Sequence, residues 1–461
     1  MQRKVDGNDL IEWGVRSGPF MKEALEIAAS MELKKLPRHV IKDSILKKQK
    51  DLITLNETPA PFGDYLPVTS DIEAENKKGV VDAMNQIMKV PGIIGGAILP
   101  DACPAGTIPV GGVVAARNQI HPSYHSADVC CSMALTELLD ADPKEVLDMI
   151  EKSVHFGHKT QEDNKRVVFL EGDFIKNFDE NMFLRQLGKK ATMDFGSQGD
   201  GNHFYYVGVS ELTGNTCIVS HHGSRGFGAQ VFNNGKRYAE AQLKQNARGI
   251  DKGHAWIQAD TDEGKQYWEA LKVVKEWTRR NHFDLHTYIA DELEYKIIDQ
   301  FWNPHNFVFQ KEGESDVYYH AKGATPSYTY GEYSLIPMNM AEPILVTVPR
   351  IDFKSPKRNA LGFAPHGAGR NQSRTKFLKS DEGLAIRTPV GIDARTFVKE
   401  TDASEWPEAY KDAATVIKGI EDNHLARIVD RIMPYGNIMA GDVDYHSKWR
   451  VKRRKKEQDG S

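Results

Sequence analysis

Short apolar segments interrupted by glycine and proline recur from about residue 83 onwards, and they constrain the fold more than any other feature of the chain. GGAIL at 95–99, GGVVAA at 111–116, TCIVS at 216–220 and EPILVTVPR at 342–350 each have the length and composition of a buried strand. The stretch PDACPAGTIP between the first two is expected to be a loop, because proline and glycine interrupt it. Such a chain folds around sheets whose polar loops project from buried strands.

Helical patterning alternates with these strands. The stretch 263–300 carries its large apolar residues at the three- and four-residue spacing of a helix with one buried face: Trp268, Leu271, Val274 and Trp277. Further helical stretches are expected in the N-terminal region and at about 404–430. The mixture predicts an α+β fold, with a single large domain of mixed sheets and surrounding helices.

Changes in composition divide the chain into three parts. Residues 1–75 are predicted to form an N-terminal extension and residues 76–445 the main domain. Residues 446–461, which include KWRVKRRKK, are predicted to form a basic tail. A basic tail can contact the phosphate backbone of a nucleic acid. Many such tails are only solvated, so both interpretations stay open.

Charge and composition exclude several classes of protein. The 461 residues include 60 basic and 64 acidic side chains, so no overall field favours a nucleic acid or a membrane. No apolar run approaches the roughly 20 residues of a spanning helix, and the N-terminus lacks the apolar block of a secretory signal. Four cysteines are too few for a disulfide framework. We therefore expect a cytoplasmic protein with free thiols and no membrane partner.

Side chains of the types that bind metals or act as nucleophiles occur in five loops, and the candidate histidines among them lie close to glycine, asparagine or proline. Loops at the ends of buried segments are where a rigid scaffold presents functional groups. Imidazole, thiolate and carboxylate together suit a borderline-soft divalent cation such as zinc or manganese. The candidates are Asp128 and Cys131 in HSADVCCSM, Asn202 and His203 in GDGNHF, His221 and His222 in HHGSRG, His305 and Asn306 in NPHNF, and His366 and Arg370 in PHGAGR.

None of these loops contains a local metal-binding motif. HExxH and paired CxxC are absent from the sequence, and a single histidine is more often a surface or core residue than a ligand. The five loops taken together nevertheless favour one shared site. The glycines at 196–201 follow the order G-x-x-G-x-G, which differs from the dinucleotide-binding fingerprint, so we exclude a Rossmann loop.

Seven motifs in a fixed order carry a resemblance to a known family. LPDACPAGTIPVGGVV, DVCCSM, GDGNHF, HHGSRGFG, PHNF, AKGAT and PHGAGRNQSR follow one another as they do in RtcB, the RNA-splicing ligase family. The likeness runs from about residue 83 to about residue 441. The helical insert between His221 and His305, which includes EGKQYW, is similar as well. The resemblance implies an RtcB-like catalytic domain.

The resemblance also implies an activity and a set of metal ligands. RtcB enzymes act in RNA repair and tRNA splicing, where they join RNA ends that carry a 2′,3′-cyclic phosphate or a 3′-phosphate to 5′-hydroxyl ends. They use GTP and two manganese ions. Carried over by motif, Cys131 would bridge both ions, His221 and His305 would complete one site, and Asp128 and His203 would complete the other.

The nucleotide would be held by residues that follow from the same motifs. His366 would attack the α-phosphate of GTP and carry the GMP, and Asn202 would contact that phosphate. The other implied nucleotide contacts are Phe204, Tyr206, Asn306, Pro337, Asn339, Met340, Gly367, Ala368 and Gly369. The implied partners are RNA with the ends described above, a nucleotide and, as for some family members, an archease-like activator.

The chain departs from the family pattern mainly where the base is expected to bind. Tyr206 stands where the family has a glutamate that reads guanine, and Met439 or Ala440 falls where it has a lysine. We therefore expect guanine selectivity to be loosened or replaced, with ATP as an alternative nucleotide. Other departures are Cys103 for a histidine, Cys130 for a glycine, Ala321 for an arginine, Ile344 for a serine, and Pro337-Met338-Asn339-Met340-Ala341 for the loop P-G-S-M-G.

Two other classes of function stay open. A dinuclear metal phosphoesterase would hydrolyse cyclic or terminal phosphates without a nucleotide, and a metal-stabilised RNA-binding paralogue would have lost ligation. For Cys130 we favour a small buried apolar residue over a third sulfur ligand. His222 is expected to lie beside the ligand in its loop, and for His121 and His125 a surface position is favoured over contact with RNA.

Overall fold

The computed structural model describes residues 3–16, 20–49, 51–157, 170–350, 360–380, 391–398 and 402–441, with only the backbone of Thr375. These residues combine helices with several sheets, which confirms the α+β fold class. Residues 446–461 lie outside this set, so contact between the basic tail and RNA stays a prediction. None of the helices in the described ranges is both long and apolar enough to cross a membrane.

The described α-helices are α1 Gly7–Glu12, α2 Phe20–Leu33, α3 Arg38–Lys48, α4 Asp71–Ile87, α5 Pro143–Ser153, α6 Gly172–Ile175, α7 Gly188–Asp194, α8 Arg225–Asn246, α9 Asp262–Glu292, α10 Arg374–Phe377 and α11 Ala413–Asp422. Several begin at side chains that accept a hydrogen bond from the first turn, which satisfies backbone donors that would otherwise be unpaired. These capping residues are Asp6, Ser70, Asp142, Thr261, Ser373 and Asp412.

The described strands are β1 Phe62–Asp64, β2 Ile93–Cys103, β3 Val110–Arg117, β4 Gln119–Ile120, β5 Ser132–Leu138, β6 Phe204–Ser210, β7 Thr216–His222, β8 Ile257–Gln258, β9 Ile297–Pro304, β10 Asn306–Phe309, β11 Val317–Lys322, β12 Ala324–Pro326, β13 Ser334–Ile336, β14 Ile344–Val348, β15 Phe363–Pro365, β16 Asp393–Thr396 and β17 Arg427–Met439. Four segments predicted to be strands, namely GGAIL, GGVVAA, TCIVS and EPILVTVPR, supply residues of β2, β3, β7 and β14.

The larger sheet has eight strands and brings together the ends of four of them. Its order is β13-β14-β17-β6-β7-β5-β9, and β16 pairs with β17. His221 of β7 lies opposite Met133 of β5 and Phe204 of β6, while Ser132 of β5 lies opposite Pro304 of β9. The start of β5, the start of β6, the end of β7 and the end of β9 therefore meet at one edge of this sheet.

A second sheet has five strands. Its order is β1-β2-β3-β11-β10. Two smaller pairs, β12 with β15 and β4 with β8, complete the described strands. Strand β15 ends at Pro365, directly before the segment HGAGR. The second sheet and the β12–β15 pair thus bring residues of β2 and the HGAGR loop within reach of the larger sheet.

Two predicted elements differ from the structure. The stretch at about 404–430 is helical only in part, because α11 ends at Asp422 and β17 begins at Arg427. This strand tolerates Pro434 because the pairing with β6 shifts between Pro434 and Gly436, and prolines in sheets are found at such irregularities. The predicted loop PDACPAGTIP begins later than expected, since β2 continues through Cys103.

The long helix α9 confirms the helical periodicity of its sequence. It buries Leu271, Val274 and Trp277 against the main apolar core, while Trp268 packs at the edge of that core. The indole Nε1 of Trp277 donates a hydrogen bond of 3.1 Å to the backbone carbonyl of Ala191. Because this donor has a partner, the largest aromatic ring of the helix can be fully buried without an unpaired polar group.

The N-terminal helices α1, α2 and α3 pack around an apolar cluster of their own. Its buried members include Leu10, Ala28, Ile41 and Ile45. Helix α4 packs instead on β2, and it spans the boundary predicted between residues 75 and 76. The division into residues 1–75, 76–445 and 446–461 stays a prediction.

Buried histidines are more numerous than the sequence suggested. The surface positions expected for His121 and His125 are wrong, because both side chains are fully buried. The ring of His121 stacks on that of Tyr124 with 4.4 Å between centroids, and His125 Nε2 lies 3.1 Å from the hydroxyl oxygen of Tyr267. The partner of His125 lies 142 positions away on α9, a contact that the sequence does not display.

A row of buried hydroxyls and imidazoles joins α9 to the larger sheet. Ser220 Oγ lies 2.7 Å from His282 Nδ1 and 2.7 Å from His286 Nε2. Thr136 Oγ1 lies 2.8 Å from His286 Nδ1, so both nitrogens of that ring have partners. Burial lowers the pKa of His286 to about 3. The helix is therefore held to β5 and β7 by neutral imidazoles.

These histidines predict that the fold is sensitive to acid. Burial lowers the pKa of His125 to about 4 and, together with the charge of His125, that of His320 to about 3. In the unfolded chain a histidine titrates near 6.5, so below that pH the unfolded state binds more protons than the folded state. The contribution of these neutral histidines to the free energy of unfolding is therefore fully present above pH 6.5 and decreases as the pH drops below that value.

We expect each such histidine to lower the free energy of unfolding by about 2 kcal/mol between pH 7 and pH 5. The measurement is urea unfolding followed by circular dichroism at both pH values, at one ionic strength, with chelator present so that loss of metal does not contribute. A midpoint that is the same at pH 7 and pH 5 would contradict the neutral, buried state of these rings.

Candidate active site

Four predicted metal ligands lie at the edge where β5, β6, β7 and β9 meet. Cys131 directly precedes β5, His203 precedes β6, His221 is the penultimate residue of β7, and His305 follows β9. The backbone N–H of His305 donates to the carbonyl of Cys131 at 2.9 Å, which fixes the two loops against each other. Antiparallel pairing therefore brings together ligands that are separated by up to 174 positions in the chain.

The ligand atoms form two groups that share one sulfur. Cys131, His221 and His305 form the first group, and Asp128, Cys131 and His203 form the second; within each, the ligand atoms lie within 4.8 Å of one another. In the first group, His221 Nε2 is 3.1 Å from Cys131 Sγ and 3.2 Å from His305 Nε2. In the second, His203 Nε2 is 3.5 Å from Cys131 Sγ and 3.3 Å from Asp128 Oδ2.

Backbone carbonyls orient two of the imidazole rings. His203 Nδ1 donates to the carbonyl of Gln198 at 2.8 Å, and His221 Nδ1 donates to the carbonyl of Asn202 at 3.0 Å. A carbonyl can only accept, so the proton of each neutral ring resides on Nδ1 and the lone pair of Nε2 points into the cluster. This is the arrangement in which histidine binds a metal through one nitrogen while a carbonyl holds the other.

Burial disfavours the protonated form of His221 in the cluster. It lowers the pKa of His221 to about 3, with the neighbouring His203 and His366 adding to the effect. Burial, followed by the charge of Asp128, raises the pKa of the Cys131 thiol well above its usual value. Although burial opposes it, the contacts of Asp128 with His203 and Cys131 lower the pKa of the Asp128 carboxyl. Neutral imidazoles, a carboxylate and a displaceable thiol proton together fit a divalent cation.

Cys130 takes no part in this cluster. Its side chain is fully buried in the main apolar core, and burial raises its pKa to about 12. Its backbone has φ +60, a conformation that glycine adopts without strain and other residues rarely adopt. The conformation gives a physical reason for the glycine that the RtcB pattern has here, and the surroundings support the apolar interpretation of Cys130.

His366 lies beside the cluster and is held by a buried carboxylate. Its ring centroid is 5.0 Å from that of His305. His366 Nδ1 is 2.6 Å from Asp101 Oδ2, and the same oxygen accepts from the backbone N–H of His366 at 3.2 Å. Because Nδ1 donates to the carboxylate, Nε2 is the nitrogen with a free lone pair. Asp101 was not among the predicted site residues, although it lies in the motif PDAC that was quoted for the family resemblance.

Gly369 permits this approach of the HGAGR loop to β2. Its backbone has φ +74, and a Cβ atom there would overlap the backbone carbonyl of Asp101. Gly323, with φ +64, is similarly placed, since a Cβ atom would meet the ring of His366. Both positions therefore require glycine for the carboxylate and the imidazole to stay in contact.

A cavity of about 180 Å³ adjoins the cluster and extends towards β17. Most of the residues expected to contact a nucleotide line it: Asn202, Phe204, Tyr206, Pro337, Asn339, Met340, His366, Gly367, Ala368 and Gly369. Asn306 is the exception, because its side-chain oxygen accepts from the backbone N–H of Gly323 at 2.7 Å instead. Of the two candidates for the family's lysine position, Met439 lines the cavity and Ala440 does not.

Three further lining residues were missed in the sequence: Glu405, Tyr410 and Asn437. Glu405 Oε2 accepts from Arg370 Nη2 at 2.7 Å and from the hydroxyl of Tyr410 at 2.5 Å. No motif contains these residues, and they reach the cavity only because β17 and the segment before α11 pack beside the HGAGR loop. Glu405 lies in a region that was expected to be helical, and a charged residue in such a region does not indicate that its side chain lines a cavity.

The geometry predicts different outcomes for the two adjacent cysteines. Replacement of Cys131 with Ala should remove the sulfur shared by both ligand groups, so bound manganese should fall sharply, whereas Cys130→Ala should leave the metal content unchanged. The measurement is inductively coupled plasma mass spectrometry after dialysis against a low concentration of manganese. The buried Cys217→Ala is the matched control for loss of a thiol. Equal metal loss in the variants at 130 and 131 would contradict this assignment of ligands.

Comparisons with known proteins identify the family of this chain. Residues 139–440, well over half of the chain, match the family model described as tRNA-splicing ligase RtcB. The tRNA-splicing ligase RtcB of Thermococcus kodakarensis is 25% identical over 447 residues, which cover 79% of this chain and 92% of that protein. The protein of the same name from Methanococcus maripaludis is 27% identical over 309 residues, 57% of this chain and 63% of the relative.

A bacterial relative gives the same result. The RNA-splicing ligase RtcB of Mycobacterium tuberculosis is 28% identical over 286 residues, which cover 54% of this chain and 66% of that protein. Residues 139–440, which match the family model, include His203, His221, His305 and His366. The chain thus belongs to the RtcB family of tRNA-splicing RNA ligases.

Proposed function

We propose that this protein joins RNA 2′,3′-cyclic phosphate or 3′-phosphate ends to 5′-hydroxyl ends through a covalent His366–nucleotide intermediate. Membership of the RtcB family supports RNA ligation. The observation that carries the mechanism is the 2.6 Å contact between His366 Nδ1 and Asp101 Oδ2 beside the metal-ligand cluster. It leaves one imidazole nitrogen free for attack at the mouth of a cavity large enough for part of a nucleotide.

His366 supplies the electron pair of the first step. Its Nε2 forms a bond to the α-phosphorus of the nucleotide, and pyrophosphate leaves with the electrons of the broken P–O bond. The ring then carries a positive charge, which the carboxylate of Asp101 stabilises through the Nδ1–H hydrogen bond. Asp101 is almost fully enclosed, and the effect of such a charge pair is larger where water is excluded.

The ligand cluster would hold two divalent cations, which we propose to be manganese, with Cys131 shared between them. Bound cations supply charge neutralisation at phosphate oxygens. The chain's own contribution is to fix the ligands: the carbonyls of Gln198 and Asn202 hold His203 and His221 in one orientation. Asn202 also lines the cavity, between the ligand cluster and the end near β17 at which the base is expected to bind, called the base end. In this position its amide can donate to a phosphate oxygen.

The remaining steps transfer the nucleotide to RNA and release it. An oxygen of the RNA 3′-phosphate attacks the α-phosphorus, and the bond to His366 Nε2 breaks, which regenerates the free imidazole. The 5′-hydroxyl of the second RNA end then attacks the RNA phosphorus, and the nucleoside monophosphate leaves as the phosphodiester forms. A cyclic end must first be opened by water, because only a terminal phosphate has an oxygen with which to attack.

Location and regulation stay predictions of the same proposal. We expect the protein to act in the cytoplasm on RNA, and an archease-like activator would raise the rate of nucleotide transfer to His366. The rate of adduct formation by the purified protein, compared with and without the activator, measures this contribution directly.

Incubation with manganese and a nucleotide labelled at the α-phosphate tests the covalent step. We expect a labelled protein band that withstands denaturation and is absent in His366→Ala, together with ligation of RNA that carries 3′-phosphate and 5′-hydroxyl ends. His39→Ala, an exposed histidine of α3, is the matched control and should label normally. Release of phosphate without a labelled band would instead favour a phosphoesterase, and RNA binding with neither reaction would favour a binding protein.

A second prediction concerns the carboxylate behind His366. Replacement of Asp101 with Asn should slow adduct formation at saturating nucleotide by about tenfold to a hundredfold, because an amide does not stabilise the positive ring. Metal content and the melting temperature should stay close to those of the unmodified protein. Asp316→Asn, which removes a half-exposed surface carboxylate paired with Arg117, is the control. An unchanged rate would exclude a role for Asp101 in the chemistry.

A further inference from the structure

The side chain of Asn437 is buried at the base end of the cavity without a hydrogen-bond partner. Only 2% of the residue is exposed, and among the described residues neither its Nδ2 nor its Oδ1 has a partner. Buried amides in proteins are almost always paired, because leaving them unpaired is costly. A buried amide that lines a cavity and has both groups free is therefore a candidate for contact with a ligand.

The sheet places this amide beside Tyr206. In the pairing of β17 with β6, Asn437 lies directly opposite Tyr206, and Met439 lies opposite Phe204. Residues directly opposite each other project from the same face of a sheet, and all four line the same cavity. The amide of Asn437 thus occupies the wall on which the predicted base contact at position 206 also lies.

The neighbouring polar groups are already engaged. The hydroxyl of Tyr206 donates to the backbone carbonyl of Ile432 at 2.8 Å. Glu405 Oε2 accepts from Arg370 and Tyr410, and Glu405 Oε1, which accepts no hydrogen bond in the described chain, forms an ion pair with Arg374 Nη2 at 2.8 Å. At this end of the cavity, and within the described chain, the amide of Asn437 therefore has both its donor and its acceptor free.

The rest of this wall is apolar. Met338, Met340, Ile344 and Met439 line it, and their side chains offer sulfur and carbon but no strong hydrogen-bond acceptor. A planar ring can pack against such side chains, since thioethers adapt their shape to aromatic surfaces. An amino group on the ring that faced this wall would lose its bonds to water without replacement.

An amide matches adenine better than guanine in these surroundings. Its oxygen can accept from the exocyclic amino group of adenine while its N–H donates to the adjacent ring nitrogen, so one side chain satisfies both groups. Guanine presents three groups on its pairing edge: one acceptor, one ring N–H and one exocyclic amino group. One amide can pair two of them, and the third would be left against methionine. Sites built this way reject the base whose polar group stays unpaired.

We propose that Asn437 reads the base of the nucleotide and makes this protein selective for an adenine nucleotide, with ATP as the donor of the group carried by His366. The inference rests on the proposed function, in which this cavity holds a nucleotide. It deepens that function by assigning the identity of the base to one residue of β17.

The test uses full-length protein with manganese and two readouts. Isothermal titration calorimetry with the His366→Ala variant measures the binding of ATP and of GTP without reaction, and labelling of the unmodified protein with each nucleotide measures transfer. We expect ATP to bind and label at least about tenfold better than GTP, the discrimination typical of one bidentate amide–base pair.

Two substitutions at position 437 separate recognition of the base from packing. Asn437→Leu keeps the volume and removes both polar groups, so ATP affinity should fall about tenfold or more and the ATP-to-GTP affinity ratio should fall towards one. Asn437→Asp supplies a carboxylate, which accepts from the ring N–H and amino group of guanine, so preference should shift towards GTP. Asn233→Leu, an exposed asparagine of α8 outside the cavity, is the matched control, and melting temperatures check that each variant is folded.

The outcomes distinguish this inference from the proposed function. Preference for GTP in both readouts, or an unchanged ATP-to-GTP ratio in folded Asn437→Leu, would overturn adenine recognition and leave the ligase proposal standing. Binding of ATP that depends on Asn437, without a labelled band in the unmodified protein, would overturn the covalent mechanism and leave recognition of the base. Absence of both binding and label would overturn the two together.

Discussion

The site depends on one constraint: lone pairs from a thiol, three imidazoles and a carboxylate converge where four strand ends of the larger sheet meet. Burial lowers the pKa values of His221 and His305, and backbone carbonyls fix the rings of His203 and His221. Crowded acceptors that cannot take up protons repel one another unless a cation lies between them. The sheet therefore maintains an arrangement that divalent cations would stabilise, and the fold at this edge is organised around it.

The nucleophile is positioned by a different part of the molecule. Asp101 belongs to β2 of the five-stranded sheet, while His366 follows β15. Gly369 lets the loop after β15 approach β2 closely enough for the carboxylate to hold the imidazole. The edge of the eight-stranded sheet thus carries the predicted metal ligands, while the five-stranded sheet supplies the carboxylate that holds the proposed nucleophile, so the two halves of the proposed chemistry come from different sheets. Their packing sets the distance between the halves.

The two ends of the cavity differ in how far they keep the RtcB pattern. At the end beside the ligand cluster, the predicted metal ligands and His366 lie in the motifs that carry the RtcB resemblance, and they lie close to one another. At the other end, tyrosine and methionine replace charged groups, and an unpaired amide lies between them. Phosphate chemistry needs fixed charges and so tolerates little change, whereas recognition of a base can be rebuilt with other donors and acceptors.

The family, the α+β class, the principal strands and α9 could be predicted from the sequence, because apolar periodicity and ordered motifs are local properties. The sequence also predicted the loops that carry the candidate ligands, since glycine and proline mark where side chains leave a strand. The folded structure was needed to show that Asp101 holds His366, that Asn306 does not line the cavity, and that Glu405, Tyr410 and Asn437 reach it. Those relations depend on strand register and on the packing of segments that are distant in the chain, which no local pattern encodes.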